Sequence, residues 1–396
     1  MAKVQEESKW YDRIAWGVII PVVLLSFVSF YSIYNASVND STYGTPTRTV
    51  AMQIVWYTVS WLMVAFIVRF DAEQIFKLAP YLYGLGILML VAVLFLYDRT
   101  TAASSGAKSW FVVGPVSFQP SEVMKPAFIL QLARVVREHN ARYAHNLRND
   151  WLLIGKVMAW FLPVAMLLML QPDFGTTLVF VAITAGILLV SGISWKIIIP
   201  VFLLMVVVGV AVILLVFTSE GQTILRHYFK TYQLERIKSW SDPSGDNSNS
   251  AYQLWQSMKA IGSGQIFGNG FNNIKVYVPV RNSDMIFSVV GESFGFVGGV
   301  ALIGIYFVLI VQMVKITFST KNAFYSYVST GIIMMILFHA FENIGMSIDL
   351  LPLTGVPLPF VSQGGSALIG NMIGIGLILS MKWHNKDYMF STAGDF

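Results

Sequence analysis

The chain has 396 residues, of which 56% are hydrophobic and only 12% charged, and it contains no cysteine. A soluble chain of this length carries about a quarter charged residues, so the composition argues against a soluble enzyme, a disordered protein and a nucleic-acid binder. The net charge of +5 does not indicate a nucleic-acid partner, because the basic residues lie in short loops between apolar segments. The missing cysteines exclude disulfides and thiolate metal sites. The sequence therefore predicts a polytopic membrane protein.

The apolar segments predict ten membrane-spanning helices. A helix needs about 20 apolar residues to cross a hydrocarbon core of roughly 30 Å. Segments that meet this need are 14–34, 50–69, 80–97, 151–170, 174–191, 195–217, 295–314, 324–345 and 367–381. A further segment, 120–136, carries three charges, but its apolar residues recur at helical spacing and the charge pattern requires a crossing there. We expect an all-α polytopic integral membrane protein with a single membrane domain over residues 1–396.

Lysine and arginine residues predict the orientation of these helices. With the N-terminus inside, fifteen of them lie in inside segments, and only Arg48, Arg99 and Lys108 lie in short outside loops. Because cytoplasmic loops carry the excess of basic residues, we expect both termini to be cytoplasmic. The first apolar run is too long for a signal-peptide core and is interpreted as a helix.

Two outside segments differ from ordinary loops. Residues 218–284 form one long extracellular loop, in which 222–238 and 252–260 have the pattern of short amphipathic helices. Residues 350–365 contain three prolines and three glycines between two spans. Non-helical backbone at membrane depth is tolerated only where protein or a watery cavity satisfies it, so this segment is predicted to be a re-entrant or cavity-lining loop.

The fourth predicted helix begins at SFQPSEVMK, residues 117–125. Ser121 has the position of a helix cap, and Glu122 and Lys125 are three residues apart, so they share a helix face and can form an ion pair. One interpretation is that the pair only neutralises itself and locks the helix. The alternative is a cavity wall that meets a polar substrate, since ionisable residues within a membrane are costly and indicate function.

Three further groups of ionisable residues lie at or near the spans. For Asp173 in QPDFGTT, the spacing favours a helix cap. Asp284 and Glu292 are eight residues apart, which on a helix would place them on one face about 12 Å apart, too far to act on one atom. Asp284 is either an N-cap or a partly desolvated general base beneath the long loop. His339 and Glu342 have the spacing of a structural hydrogen bond.

Several chemistries have no signature in this sequence. There is no P-loop, no dinucleotide fingerprint and no HExxH motif, and GSGQIFGNG at 262–270 has the pattern of a turn. No protein metal site is predicted. The energy for any reaction must therefore come from the substrate or from an ion gradient.

Five motifs in order along the chain resemble the shape, elongation, division and sporulation (SEDS) family. They are SFQPSEVMK, QPDFGTT, AIGSGQIFGNG, SDMIFSVVGE and NIGMSIDLLPLTGVPLPFVSQGGS, and the resemblance covers nearly the whole chain. The last motif is more similar to elongation members than to division members. The resemblance implies a ten-helix glycosyltransferase that polymerises lipid II outside the bacterial cytoplasmic membrane. It also implies a class B penicillin-binding protein and other elongation-machinery membrane proteins as partners.

The resemblance places the family's essential aspartate at Asp284. It places the family's glutamate and lysine pair at Glu122 and Lys125, its second-motif aspartate at Asp173, and its final serine and glycines at Ser362, Gly364 and Gly365. The candidate substrate-binding residues are Gln119, Ser121, Glu122, Lys125, Asp173, Arg281, Glu292, Ser362, Gly364 and Gly365. Departures from the commoner pattern are Val280, Ser283, Met285, Ser293 and Gln363. The missing acids at 280 and 293 weaken the case for a bound divalent cation.

These residues lead to one mechanistic hypothesis and two rivals. In the hypothesis, Asp284 removes the proton from the acceptor hydroxyl of lipid II. Lys125 positioned by Glu122, Arg281, or a divalent cation such as Mg²⁺ or Mn²⁺ then neutralises the departing pyrophosphate. The first rival is a transporter that flips lipid II, although no inverted repeat of broken helices is present. The second is a passive scaffold, which leaves the buried charges unexplained.

Overall fold

The computed structural model describes residues 13–38, 45–100, 102, 106–114, 116–225, 231–243 and 249–385, and these are almost entirely helical. The helices are α1 (Trp16–Val38), α2 (Pro46–Ile67), α3 (Ala72–Leu96), α4 (Pro120–Arg142), α5 (Leu147–Leu170), α6 (Phe174–Val190), α7 (Trp195–Val216), α8 (Ser219–Leu225), α9 (Thr231–Ser241), α10 (Asn249–Ser263), α11 (Ile286–Ser319), α12 (Ala323–Ser347) and α13 (Gly365–His384). A short antiparallel hairpin, β1 (Phe111–Val113) and β2 (Val116–Phe118), precedes α4 with Phe111 opposite Phe118.

Ten of the described helices account for the predicted crossings. Eight of them, α1, α2, α3, α5, α7, α11, α12 and α13, are long and apolar enough to cross a membrane by length and composition. Helix α6 is apolar but has only 17 residues, and α4 is long but charged. Both lie inside the bundle, α6 against α12 and α4 against α3, α12 and α13. The predicted fold class, an all-α polytopic membrane protein, is confirmed.

The start of one predicted helix and one predicted cap need correction. Helix α11 begins at Ile286 rather than near 295, so it includes residues 286–294, which precede the predicted span. Of the segment 222–238, residues 226–230 lie outside the described residues, and α8 and α9 lie on either side of them; α10 confirms the helix predicted at 252–260. The predicted cap at Ser121 is wrong. Gln119 is the N-cap of α4 with proline following it, and the buried Ser121 hydroxyl has no hydrogen-bond partner.

Helix α11 is broken at Gly295, whose backbone angles are φ 64° and ψ −158°. The glycine-rich segment 262–270 lies against this break and replaces the lost helical hydrogen bonds with its own backbone. The replacements are Asn269 N to Glu292 O (2.9 Å), Gly270 N to Ser293 O (3.0 Å), Phe296 N to Gln265 O (2.9 Å) and Val297 N to Ile266 O (3.1 Å). The backbone groups at these four positions are therefore hydrogen-bonded despite the break, as a membrane environment requires.

Gly295 should not tolerate a side chain, which gives a first testable prediction. A Cβ atom there would lie 2.5 Å from the Gly268 backbone nitrogen, and the left-handed φ adds strain of about 1–3 kcal/mol. We expect Gly295→Ala to lower the thermal unfolding midpoint of the purified protein in detergent. Gly304→Ala in the same helix is the matched control, because nothing lies within 4 Å of its Cβ position. Equal midpoints for the two variants would contradict the backbone contact.

The segment 350–365 is non-helical and held inside the protein, as predicted. Its buried side chains include Val356, Leu358 and Phe360. Side chains from four spanning helices donate to its backbone carbonyls: Ser29 to Val361 (2.8 Å), Gln53 to Ser362 (3.3 Å), Asn343 to Val356 (2.9 Å), Tyr57 to Phe360 and Tyr306 to Pro359. These hydrogen bonds pair backbone carbonyls that would be paired within a helix, so the loop keeps a fixed shape at this depth.

Candidate active site

Asp284 lies in the turn just before α11, and its side chain is partly exposed. The N-cap of α11 is Met285, with no side-chain capping hydrogen bond, so the interpretation of Asp284 as an N-cap is wrong. The amide of Asn343 in α12 donates to the Asp284 carbonyl at 2.7 Å and to the Val356 carbonyl at 2.9 Å. One buried asparagine therefore fixes the backbone of Asp284 relative to the non-helical segment 350–365.

Further hydrogen bonds join this turn to the segment 350–365. The Ser362 hydroxyl donates to the Ser283 carbonyl at 2.6 Å and accepts from the Leu358 backbone nitrogen at 2.8 Å. The Asn282 amide donates to the Gln363 side chain at 2.7 Å, and the Gln363 backbone nitrogen donates to the Asn282 carbonyl at 2.9 Å. The candidate residue Ser362 thus holds the segment that carries Asp284.

The carboxylate of Asp284 lies against Gly355, a glycine with a φ of 79°. A Cβ atom at this position would come within 3.3 Å of Asp284 Oδ2, so the glycine leaves space beside the carboxylate. The neighbouring Thr354 carbonyl accepts a hydrogen bond of 3.0 Å from Arg236 of α9. The long outer loop therefore brings a cation to the segment that borders Asp284.

The surroundings of Asp284 make its carboxylate a stronger base than a solvated one. Burial among protein atoms raises the pKa of Asp284 to about 6, against the opposing effects of a Ser283 hydrogen bond and the Arg236 charge. The nearby carboxylate of Asp173 raises this pKa further. A group with such a pKa is ionised at neutral pH and still accepts a proton readily, which suits a general base.

Asp173 caps α6, as its spacing predicted, and also belongs to the site. Its Oδ1 accepts from the Thr176 backbone nitrogen at 3.1 Å, while Oδ2 accepts from Gln119 Nε2 at 2.8 Å. The backbone nitrogen of Gln119 in turn donates to the Ser366 hydroxyl at 3.1 Å. The candidates Gln119 and Asp173 are therefore in contact, and they join the starts of α4, α6 and α13 near Asp284.

Glu122 and Lys125 form the predicted ion pair in the interior of the bundle. Lys125 Nζ lies 2.8 Å from Glu122 Oε1 and 2.8 Å from His339 Nε2, and Lys125 is only 1% exposed. His339 Nδ1 lies 2.6 Å from the Met335 carbonyl, which assigns the ring proton to Nδ1 and leaves Nε2 to accept from lysine. His339 contacts Lys125 rather than the predicted partner, Glu342. Contact between this ion pair and a substrate stays a prediction.

Arg281 and Glu292 form a second buried ion pair, which anchors the outer loop. Glu292 pairs with Arg281 Nη2, and its Oε1 accepts from the backbone nitrogens of Lys275 at 2.7 Å and Val276 at 3.1 Å. Since Asp284 precedes α11 in a turn, the helical spacing expected between it and Glu292 does not apply. Arg281 already has a carboxylate partner, and substrate binding by either residue stays a prediction.

The two final candidate glycines lie at the start of α13. Gly364 is the N-cap of that helix. A Cβ atom on Gly365 would lie 2.4 Å from the Trp56 ring, so only glycine allows α2 to approach here. This close approach accounts for Gly365 without any contact to a substrate.

Among the described residues, no group of three or more histidine, aspartate or glutamate side chains could hold a metal ion. Asp173 and Asp284 are near each other but supply only two carboxylates. Mg²⁺ often takes one or two protein carboxylates and completes its shell with water and substrate phosphates. The donor set therefore fits a cation that arrives with a phosphorylated substrate.

Sequence reasoning missed three residues of the site: Asn343, Arg236 and Gly355. Asn343 had a signal, since it is an amide within an apolar span, four residues after His339. Arg236 and Gly355 had none. They lie near Asp284 only because the outer loop and the segment 350–365 fold over the turn that carries it.

Comparison with known proteins places the chain among cell cycle proteins. The FtsW/RodA/SpoVE family, described as cell cycle protein, matches residues 13–387. Peptidoglycan glycosyltransferase MrdB of Escherichia coli (strain K12) is 32% identical over 385 residues, which are 96% of this chain and 97% of that protein. Probable peptidoglycan glycosyltransferase FtsW of Coxiella burnetii is 29% identical over 400 residues, 98% of this chain and 100% of that protein.

Solved structures give the same result. The rod shape determining protein RodA of Thermus thermophilus aligns with a TM-score of 0.65 and 25% identity, over 93% of this chain and 97% of that one. A chain from work on the structural coordination of polymerization and crosslinking by a peptidoglycan synthase complex aligns with a TM-score of 0.76 and 27% identity. That alignment covers 94% of this chain and 98% of the other.

Proposed function

The chain belongs to the FtsW/RodA/SpoVE family and is a peptidoglycan glycosyltransferase, and we propose that it polymerises lipid II with Asp284 as its general base. The observation that carries this proposal is the Asp284 carboxylate itself. Its backbone is fixed by Asn343, its pKa is raised to about 6, and Gly355 leaves space beside it.

The proposed reaction is a single displacement at the anomeric carbon of the donor. Lipid II carries its disaccharide on a polyprenyl pyrophosphate, so the donor bond is already activated and no nucleotide is needed. The acceptor hydroxyl oxygen forms a bond to the anomeric carbon while the bond to the pyrophosphate oxygen breaks. Asp284 takes the hydroxyl proton, and the polyprenyl pyrophosphate leaves with the bonding electron pair. The anomeric configuration is inverted, through a transition state with oxocarbenium character as in glycosidases.

The leaving pyrophosphate requires positive charge, and Arg236 is the cation that supports this part of the proposal. Arg236 lies near enough to Asp284 to lower its pKa and is held by the Thr354 carbonyl. Lys125 and Arg281, the predicted suppliers, are each engaged by a glutamate. Because a carboxylate already neutralises each of these two cations, their contribution to the leaving group stays a prediction.

A divalent cation, Mg²⁺ or Mn²⁺, is part of the proposal only as a companion of the substrate. Asp173 is the residue that would contact it, with the pyrophosphate oxygens as the remaining anionic ligands. Such an ion supplies neutralisation of the leaving group. Asp284 keeps its role as proton acceptor.

The proposal also covers the location and the partner. The distribution of lysine and arginine supports cytoplasmic termini, which puts Asp284 and the long loop at the outer face of the cytoplasmic membrane. A class B penicillin-binding protein that crosslinks the product is the proposed partner, together with other elongation-machinery membrane proteins. The likeness to a chain of a peptidoglycan synthase complex supports it.

A polymerisation assay tests this function. The purified full chain, alone and with its cognate transpeptidase, receives labelled lipid II in detergent or in liposomes, and the glycan product is separated on a gel. We expect a ladder of glycan strands. If lipid II crosses the liposome bilayer but no polymer forms, even in the presence of the transpeptidase, the protein is a flippase rather than a polymerase. If neither glycan polymer nor transport of lipid II is observed, both activities are rejected.

A further inference from the structure

A cavity of about 300 Å³ lies between α3, α4 and α5, far from Asp284. Along α4 it extends from Gln131 to Arg142, whereas the active-site end of that helix begins at Gln119. Gln131 is twelve residues from Gln119, which is about 18 Å at the rise of an α-helix. The lysine and arginine count places this end of α4 at the cytoplasmic face, so the cavity and the active site belong to opposite faces of the membrane.

The charge of the cavity lining is positive. Arg134, Arg142 and Lys156 carry three positive charges and Glu138 one negative charge, which leaves two positive charges when His139 is neutral. Arg134 Nε pairs with Glu138 at 2.8 Å, but Arg142 and Lys156 have no carboxylate partner among the described residues. A partly enclosed cavity with uncompensated positive charge favours an anion.

Two of the cations are held in place by aromatic rings. The Arg134 guanidinium lies 4.8 Å from the centre of the Phe76 ring and donates to the Phe76 carbonyl at 3.3 Å. Lys156 Nζ lies 4.8 Å from the centre of the Tyr143 ring and 3.3 Å from His139 Nδ1. The ring contacts orient both charges without neutralising them, and Lys156, which has no carboxylate partner among the described residues, remains able to bind an anion.

The inner end of the cavity contains an unpaired acceptor. Gln131 is only 3% exposed and lines the cavity, yet its side-chain oxygen has no hydrogen-bond partner. A buried amide oxygen without a donor is destabilising, so a ligand that brings a hydroxyl would gain from this position. Gln131 is one helical turn from Arg134, which places the acceptor next to the cations.

The remaining wall is apolar and is closed by an aromatic contact. Pro80, Val135 and Trp160 line it, and the Tyr83 hydroxyl donates to the Trp160 carbonyl at 2.7 Å, with the two rings edge to face at 4.9 Å. Helices α3 and α5 therefore touch at that level. The volume corresponds to roughly ten water molecules at liquid density, which suits a phosphate joined to a small polyol.

We infer that this cavity binds the headgroup of an anionic glycerophospholipid that carries a free hydroxyl, the chemistry of phosphatidylglycerol. Arg142, Lys156 and Arg134 bind the phosphate, and the headgroup hydroxyl donates to Gln131. The apolar wall receives the glycerol and the upper part of an acyl chain. Basic cavities between spanning helices at the cytoplasmic side are suited to such headgroups.

The test is a lipid titration followed by native mass spectrometry of the purified full chain. Wild type is expected to bind phosphatidylglycerol about tenfold or more tightly than phosphatidylcholine, because each basic side chain adds to the attraction. The Arg142→Gln/Lys156→Gln variant should lose this preference. Arg148→Gln/Lys196→Gln removes the same charge from exposed positions outside the cavity and should keep it. An unselective wild type, or equal selectivity in the two variants, would overturn the site.

Two further arms identify the source and the hydroxyl. Gln131→Met should remove any preference for phosphatidylglycerol over phosphatidic acid while binding of anionic over zwitterionic lipid persists. If that preference is unchanged, the hydroxyl contact is wrong. Inorganic phosphate at millimolar concentration should not displace the lipid. Displacement would make the cavity a site for soluble phosphate and would reject the lipid assignment.

Discussion

Asp284→Asn is expected to reduce the rate of glycan polymerisation by about 10²–10⁴-fold, the usual contribution of a general base. Asparagine has nearly the same shape as aspartate but accepts no proton from the attacking hydroxyl. The backbone contact from Asn343 to the carbonyl of residue 284 does not depend on the side chain, so the fold should persist. The measurement is the initial rate of polymer formation from labelled lipid II, with size-exclusion elution as the check on folding.

Asp349→Asn is the matched control for this prediction. Asp349 is also a partly exposed carboxylate just after a spanning helix, and its φ of 64° is one that asparagine adopts readily. We expect that variant to keep nearly the full rate. If Asp284→Asn polymerises at the wild-type rate, the enzyme stands but Asp284 is not its base.

The pH dependence of the rate is a second readout of the same group. Burial raises the pKa of Asp284 to about 6, and a general base acts in its deprotonated form. The rate should therefore be constant above that pH and fall about tenfold for each unit below it. An acid limb near pH 4 would place the carboxylate in a more solvated setting. The residual rate of Asp284→Asn should lack this limb.

Lys125→Met is expected to be the most destabilising single substitution among the candidate residues. It leaves the Glu122 carboxylate buried without its cation and removes the donor to His339. Loss of one partner of a buried ion pair costs about 3–5 kcal/mol. The thermal unfolding midpoint in detergent should fall strongly, and the yield of folded protein with it. Lys77→Met, in the exposed pair with Glu73, should leave the midpoint nearly unchanged.

The double variant Glu122→Gln/Lys125→Met separates stability from catalysis. Removing both charges avoids an uncompensated ion, so the midpoint should recover much of the loss. If Lys125 contributes positive charge to the leaving pyrophosphate, the folded double variant remains impaired in polymerisation. A stable and fully active double variant would instead show that the pair only locks α4 into the bundle.

The sequence predicted features that depend on neighbouring positions along the chain. Apolar length gave the spans, and the spacing of Glu122 and Lys125 gave an ion pair that was confirmed at 2.8 Å. Asp173 three residues before Thr176 gave a helix cap that was also confirmed. These inferences hold because helix periodicity and the hydrocarbon thickness are the same in every protein.

The sequence predicted less well where a residue was compatible with two different roles or two backbone geometries. Asp284 was compatible with an N-cap and with a general base, and only the position of Met285 at the helix start removed the first. The break at Gly295 had no clear sequence signal, because a lone glycine in an apolar run is compatible with an unbroken helix. Its backbone hydrogen bonds come from the segment 262–270, which is remote along the chain, and hydrophobic patterns carry no information about such a partner.

By itself, the sequence determined the class of protein and its apolar helices, and it predicted an orientation and an aspartate suited to act as a base. Only the tertiary structure decided what surrounds that aspartate. Asn343 is 59 residues away from it along the chain, and His339 is 214 residues from Lys125. The burial, charge and hydrogen bonding of one residue depend on segments that are remote from it in the sequence. The raised pKa of Asp284, the partners of Lys125 and the cationic cavity therefore emerge only when the helices pack.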